Sequence, residues 1–275
     1  MQERLFPQLT LLLLIATALG CSVLRPKPRL KSVLILEVVA PASEQAAALD
    51  QTMRVITTRL DLMGVSNCEV RSQSNSRILV SLPDVPDPER LKHYLTAGGR
   101  LELAHVVSPP SPAPVQTFNT EEEAVGSLGG AVPPNRKLLP YSERDDTDAS
   151  PTAEKVEKPK RWVVVEWPPI VDGRDLRSAT ATQRQAGGHD YVIQFSLKPT
   201  GADKFGAWTG ANVNQYMGVV LNDQVKSIAY IKSQIFDQGE ITGSFTKHSA
   251  EDLAHVLRSG ALPAPVKVVG EDVIK

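Results

Sequence analysis

Apolar residues fall in two blocks of short periodic segments, separated by a stretch that has no period. Residues 33–39 (VLILEVV) are an apolar, β-branched run closed off by Pro41, which predicts a strand. After Ser43, a candidate cap, Ala47, Met53, Ile56, Leu60 and Met63 recur mostly at three- and four-residue steps as far as Gly64. That is the spacing of one helix face with a stop at its end. Residues 68–72 and 77–82 read as strands joined by the polar turn 73–76. Asp87-Pro88-Glu89 is a helix start, with Asp87 capping and Pro88 at the first helical position. Leu91, Tyr94 and Leu95 supply the apolar face, and Gly98-Gly99 the stop. Residues 100–107 close the block as a strand with Leu101, Leu103 and His105 on alternate positions. The order β-α-β-β-α-β over residues 33–107 predicts a ferredoxin-like base, an antiparallel sheet with two helices on one face.

Residues 108–160 carry nine prolines together with Glu121-Glu122-Glu123 and Asp145-Asp146. Apolar residues are too scattered there to offset the entropy of ordering, so the pattern predicts a disordered, proline-rich linker. Periodicity returns at 162–167 and 191–197, both strand-like, and in a helix from Thr200 through Phe205 and Trp208. Residues 217–222 and 225–231 predict a hairpin around Asn222-Asp223. A strand at 240–246, a helix capped by Ser249 and ended near Gly260, and a last strand at 266–269 complete a second α+β body over residues 161–275. The fold class is therefore α+β, a base and a head with a bridge between them.

The chain begins with a different signal. Residues 5–20 carry no charge and centre on an apolar run at 9–15, shorter than the ~20 residues a membrane-spanning helix needs. Residues 1–20 read as a signal peptide. Ala18-Leu19-Gly20-Cys21 resembles the lipobox of bacterial lipoproteins, which implies cleavage after Gly20 and acylation of Cys21. The alternative is an uncleaved N-terminal anchor. Either reading places the rest of the chain outside the cytoplasm, tethered through residues 21–32 and facing the periplasm or the outer side of the cytoplasmic membrane.

Composition narrows the chemistry. Thirty basic against 31 acidic side chains give a net charge of −1, which removes the electrostatic case for nucleic acid. Two cysteines exclude a disulfide framework and a four-cysteine zinc site. With Cys21 acylated, Cys68 reads as a small core hydrophobe. His93, His105, His189, His248 and His255 lack metal-ligand spacing, and no phosphate loop or nucleophile elbow is present. Asp145-Asp146 sit in the bridge, where catalytic geometry cannot be held. No enzyme, cofactor or metal is expected.

Several motifs together carry a resemblance. Residues 56–65 (ITTRLDLMGV) are followed by 77–85 (RILVSLPDV) and then Asp87-Pro88-Glu89-Arg90. In the head come 195–197 (FSL), 201–205 (GADKF), 239–246 (GEITGSFT) and 258–265 (RSGALPAP). In this order they resemble the first extracytoplasmic domain, base plus head, of the SecD family, accessory subunits of bacterial protein export. The resemblance implies binding or guiding of unfolded secreted preproteins, with the Sec translocon, SecD or SecF as further partners. The "D-L-x-G-G" motif that follows the family's first membrane helix has no counterpart before Leu34, and the chain stops at Lys275. The family's later membrane helices carry its proton-coupling acids, so the expectation is an accessory role without proton coupling of its own. An envelope scaffold lipoprotein that kept only the fold, or a regulator competing with full-length SecD, are the alternatives. Ile228, Tyr230, Ile231, Ile241 and Phe245 are the candidate client contacts, through an apolar groove or by strand addition.

Overall fold

The computed structural model describes residues 32–74, 76–141, 161–184 and 190–273. The signal peptide, Gly20, Cys21, all of the tether but Ser32, His189 and the bridge over 142–160 lie outside the described residues. The base is built from β1 (Ser32–Val38), α1 (Gln45–Leu62), β2 (Glu69–Ser72), β3 (Arg77–Leu82) and α2 (Pro88–Thr96). Asp87 caps α2 by accepting the Arg90 N–H at 3.0 Å, and Pro88 sits in its first turn, as the sequence predicts. Leu34, Leu36, Val38, Ile78, Val80 and Leu82 share the inner face of the sheet with Ile56 and Leu60 of α1 and Leu91, Tyr94 and Leu95 of α2.

The closing strand of the base sheet is not the predicted one. Residues of β4 (Leu101–Val106) leave the base, and the fourth place is taken by β13 (Val266–Val273) from the far end of the chain. The antiparallel sheet runs β13-β1-β3-β2. Burial decides the exchange. Five of the six residues of β4 are buried, so both of its faces need a covering layer. β13 carries Lys267, Glu271 and Asp272 and suits an edge with one open face.

In the head, β4 pairs with β10 (Tyr216–Leu221), β10 with β11 (Gln224–Tyr230), and β11 with β5 (Arg136–Tyr141). β5 pairs with β6 (Arg161–Glu166), and β6 returns to β4, closing a five-stranded ring. β7 (Val171–Asp172) extends it beside β4. Ala104, Val106, Leu139, Val163, Val165, Val220 and Val225 fill the interior of the ring. The opposite faces of β4 and β10 (Leu101, Leu103, Met217, Val219, Leu221) join a second core. That core lies under the sheet β12-β9-β8, formed by β8 (Leu176–Gln183), β9 (Tyr191–Leu197) and β12 (Gln238–Phe245). The helices α4 (Pro199–Ala211) and α5 (Lys247–Ser259) also contribute to it, and α5 is capped by Thr246 rather than by Ser249.

The expected disordered bridge is ordered over part of its length. α3 (Glu121–Ser127) is capped by Thr120, whose Oγ1 accepts the Glu123 N–H at 3.1 Å, while Glu123 accepts the Asn119 N–H at 3.0 Å. β5 is an integral strand of the ring. Local capping and long-range strand pairing supply the free energy that scattered apolar residues lack.

Base and head meet where two chain segments cross, 98–100 leaving the base and 260–265 returning, tied by the Leu262 N–H to Gly98 carbonyl bond at 2.8 Å. Arg59 of α1, completely buried, reaches into this crossing. It donates to the carbonyls of Tyr94 and Leu95 at 3.0 and 2.9 Å and to Ser259 Oγ at 3.1 Å, with Gly260 O at 3.4 Å. A single guanidinium thus caps the C-terminal ends of α2 and α5, where helix dipoles favour positive charge. Burial pulls its pKa down to about 10, which leaves it charged at neutral pH. Gly99 has φ +75, and a Cβ there would stand 2.6 Å from Val256 Cγ1 and 3.2 Å from Arg59 Nη2. Arg59→Met should lower stability by about 3–4 kcal/mol, because charge-assisted bonds of ~1.5–3 kcal/mol each are only partly offset by ending the burial of a charge. Urea denaturation measures this; an unchanged midpoint would show that the crossing is held by apolar packing alone.

Candidate functional site

The five predicted contacts do not form one surface. Ile231 and Ile241 are 0% and 1% exposed and belong to the larger head core, so they are closed to any partner. The sequence reading is corrected there: alternation marked these residues as apolar but not which face was covered. Phe245 packs partly buried against the same core, and Ile228 against the ring interior. Tyr230 alone of the five is exposed; its hydroxyl donates to Asn214 Oδ1 at 2.5 Å and its ring lies 5.9 Å from that of Tyr216.

Two further exposed apolar residues of the head had no periodic signal. Phe236, 66% exposed, lies on the 231–237 loop, and Val213 follows the C-terminus of α4. The loop is fixed to α4 by polar contacts: buried Thr209 Oγ1 accepts the Ile235 N–H at 2.9 Å, and Gln234 Nε2 donates to the Gly206 carbonyl at 3.0 Å. The absent side chain of Gly210 matters too, since a Cβ would approach Gln234 to 3.3 Å. Phe236 is therefore held outward by an anchored loop. Among sequence signals, only an aromatic in a short polar connection marks it.

A second surface lies on the outer face of the β12-β9-β8 sheet. A groove of about 470 Å³ is lined by Arg177, Ser178, Thr180, Gln194, Gln238 and Glu240. Ser178 and Ser196 hydroxyls lie 2.6 Å apart, and Arg177 bridges Ser196 and Asp237 at 3.2 Å each. On the opposite, core-facing side of the same strands the Phe195 ring lies over Gly239 so closely that a Cβ there would be 2.4 Å from Phe195 Cζ. Hydroxyl and amide groups on an open sheet can exchange hydrogen bonds with an extended backbone; they present no nucleophile–base pair.

The buried ionisable groups are structural. Glu102 is 5% exposed with its side chain on the ring-interior parity of β4, and Oε2 has no hydrogen-bond partner among the described residues. Burial raises its pKa, and burial lowers that of nearby Lys137, so each moves toward neutrality. Lys137 reaches Asp223 at 2.5 Å and lies 4.1 Å from the Trp167 ring centroid. Burial pushes Cys68 upward, which keeps it a thiol. Among the described residues no three His, Cys, Asp or Glu side chains group as a metal site, and no helix is long and apolar enough to cross a membrane.

Comparisons with known proteins match this architecture. Residues 149–264 match the model of the SecDF P1 head subdomain, and residues 49–108 that of the SecDF P1 domain, N-terminal part. Protein translocase subunit SecD of Aquifex aeolicus is 34% identical over 224 residues, covering 82% of this chain and 39% of that protein. The corresponding subunit of Koribacter versatilis is 34% identical over 226 residues, covering 82% and 38%. The chain thus spans about two fifths of the length of these curated relatives. A crystal structure of SecDF in a super-membrane-facing form aligns over 92% of this chain and 32% of its own, with a TM-score of 0.65 at 24% identity. A structure described as a membrane component SecDF that enhances protein export aligns over 86% and 98%, with a TM-score of 0.60 at 24% identity.

Gly239→Ala should cost about 1–3 kcal/mol by forcing Phe195 off its rotamer. Gly126→Ala, on α3 with open space around it, should instead gain up to ~1 kcal/mol from helix propensity. Thermal unfolding of both variants separates the two expectations.

Proposed function

Because the chain belongs to the SecD family of protein-translocase subunits and carries its P1 region, we propose that it is an accessory element of Sec-dependent protein export that touches preproteins through its head. The observation that carries this reading is the anchored presentation of Phe236, Tyr230 and Val213 around the C-terminal half of α4. An exposed aromatic on a fixed loop gives a sequence-tolerant apolar contact, while the neighbouring open sheet offers backbone-type hydrogen bonding. Weak contacts of this kind suit a chain that must be released and bound again as it emerges. Lipidation at Cys21 after cleavage behind Gly20 would hold the domain at the membrane, since each buried methylene contributes ~0.8 kcal/mol and two or more acyl chains anchor stably. The Sec channel, or its SecD and SecF subunits, is the partner that brings the head close to an emerging chain.

Photo-crosslinkers placed at Tyr230 and Phe236 should label a secretory precursor stalled in export, whereas one at Val132, exposed elsewhere on the head, should not. Labelling of all three alike, or only of folded envelope proteins, would rule out the head surface as a preprotein contact. Cys21→Ser should move the protein from the membrane to the soluble fraction; retention there would establish an uncleaved anchor instead.

A further inference from the structure

Apart from the two-residue β7, four described strands end a sheet on one side: β2 and β13 in the base, β8 and β12 in the head. β2 is four residues long and bears Glu69 and Arg71, and β8 is lined with Thr and Ser. β12 gives Ile241 and Phe245 to the head core and packs against α5. β13 differs. Like β8 and β12 it is eight residues long, but two exposed valines, Val268 at 38% and Val269 at 44%, sit on it. A long edge with apolar side chains is a template for another strand.

The charges on β13 specify which strand. Its register with β1 places Lys267 opposite Glu37, Gly270 opposite Ile35 and Asp272 opposite Val33, all on the outer face. Val268 and Glu271 stand opposite Leu36 and Leu34 on the helix side, where Glu271 is held by Lys92 at 2.5 Å. Lys267 and Asp272 have no ion-pair partner among the described residues, while Glu37 takes Arg77 at 3.7 Å. If β13 is laid antiparallel against a second β13 with the twofold axis between Val269 and Gly270, Lys267 of each copy falls opposite Asp272 of the other. The same register sets Val268 opposite Glu271, and the bulge at Val269 keeps these facing pairs on a common face. Opposite charges directly across an antiparallel pair are favourable and like charges are not.

We propose that β13 pairs with β13 of a second copy of this chain, joining two base sheets into one continuous eight-stranded sheet. The occupant is another copy because the strand is charge-complementary to itself in that register. A contact confined to one strand edge is small, so the association is weak in dilute solution and strengthens where copies are concentrated in one membrane plane.

The test uses the full chain in cell envelopes, with a photo-crosslinker at Val269. Irradiation should give a product of twice the chain mass. Lys267→Asp or Asp272→Lys alone should reduce that product at least fivefold, since each sets like charges across both ends of the pair. The double variant Lys267→Asp/Asp272→Lys should restore it, as should co-expression of the two single variants in differently tagged copies. Thermal melting of each variant controls for the repulsion that Lys267→Asp introduces against Glu37 within one chain. Absence of the double-mass product, dimers indifferent to charge, or a crosslink to the chain's own residues 21–31 would overturn the proposal.

Discussion

The crossing at Arg59 is the constraint on which the arrangement depends. The chain leaves the base after α2 and returns to it after α5, so both helices end at the same place with carbonyls unpaired by their own helices. Neither end could be buried without a donor, because an orphaned buried carbonyl costs ~1–3 kcal/mol. One side chain with a forked cation serves both, which a lysine, with a single point of attachment, could not do as well. The glycine at 99 follows from the same demand: the guanidinium and Val256 occupy the space where its side chain would be.

Sharing of elements between cores extends from that point. α5 turns Ala250, Ala254 and Leu257 toward the head and Val256 toward the base, and Arg90 fixes it to α2 through a two-pronged bond to Asp252 at 2.8 and 2.7 Å. β4 and β10 are shared in the same way between the ring interior and the sheet-covered core. Residues of one parity serve one core, and those of the other parity the second. The head is therefore not a separate bead on a flexible string: β4 opens at Leu101, a short step beyond Thr96, where the helix that Arg59 caps comes to its end.

This sharing explains what the sequence disclosed and what it hid. The base helices and their inner-face strands were legible because each buries one face, which leaves a clean period and local caps such as Asp87-Pro88. The fate of Leu101–Val106 was not, since a run buried on both faces looks like any central strand and carries no label for its sheet. β8, reading LRSATATQ, escaped because its small and hydroxylated residues make a strand only through pairing with β9. α3 had a readable signal in Thr120 followed three residues on by Glu123, a cap-and-carboxylate pattern that the surrounding prolines obscured; the Glu123 carboxylate takes the Asn119 N–H instead of that of Thr120. The candidate contacts failed at Ile231 and Ile241 for the reason that β4 did: hydrophobicity predicts burial, and exposure at Phe236 is set by a tertiary anchor, Thr209, on the preceding helix.

The two bodies manage their sheet edges by different physics, and this separates their roles. The ring in the head closes on itself, through full ladders at β4–β10, β10–β11 and β5–β6 and single residue pairs at β11–β5 and β4–β6, so none of its five strands is left as a long free edge. The base sheet stays open, with β2 and β13 at its edges, and its fourth strand comes from the far end of the chain, beyond the whole head in sequence. β13 pairs with β1 along its whole length, with a register shift between Ile35 and Leu36. An open edge strand is the least protected part of such a fold, and charge is the means available to direct it. Lys267 and Asp272 lie on the same face with opposite signs, brought into phase by that shift. Their placement discourages indiscriminate pairing with hydrophobic strands while remaining compatible with one antiparallel register, which is specificity obtained from repulsion as much as from attraction.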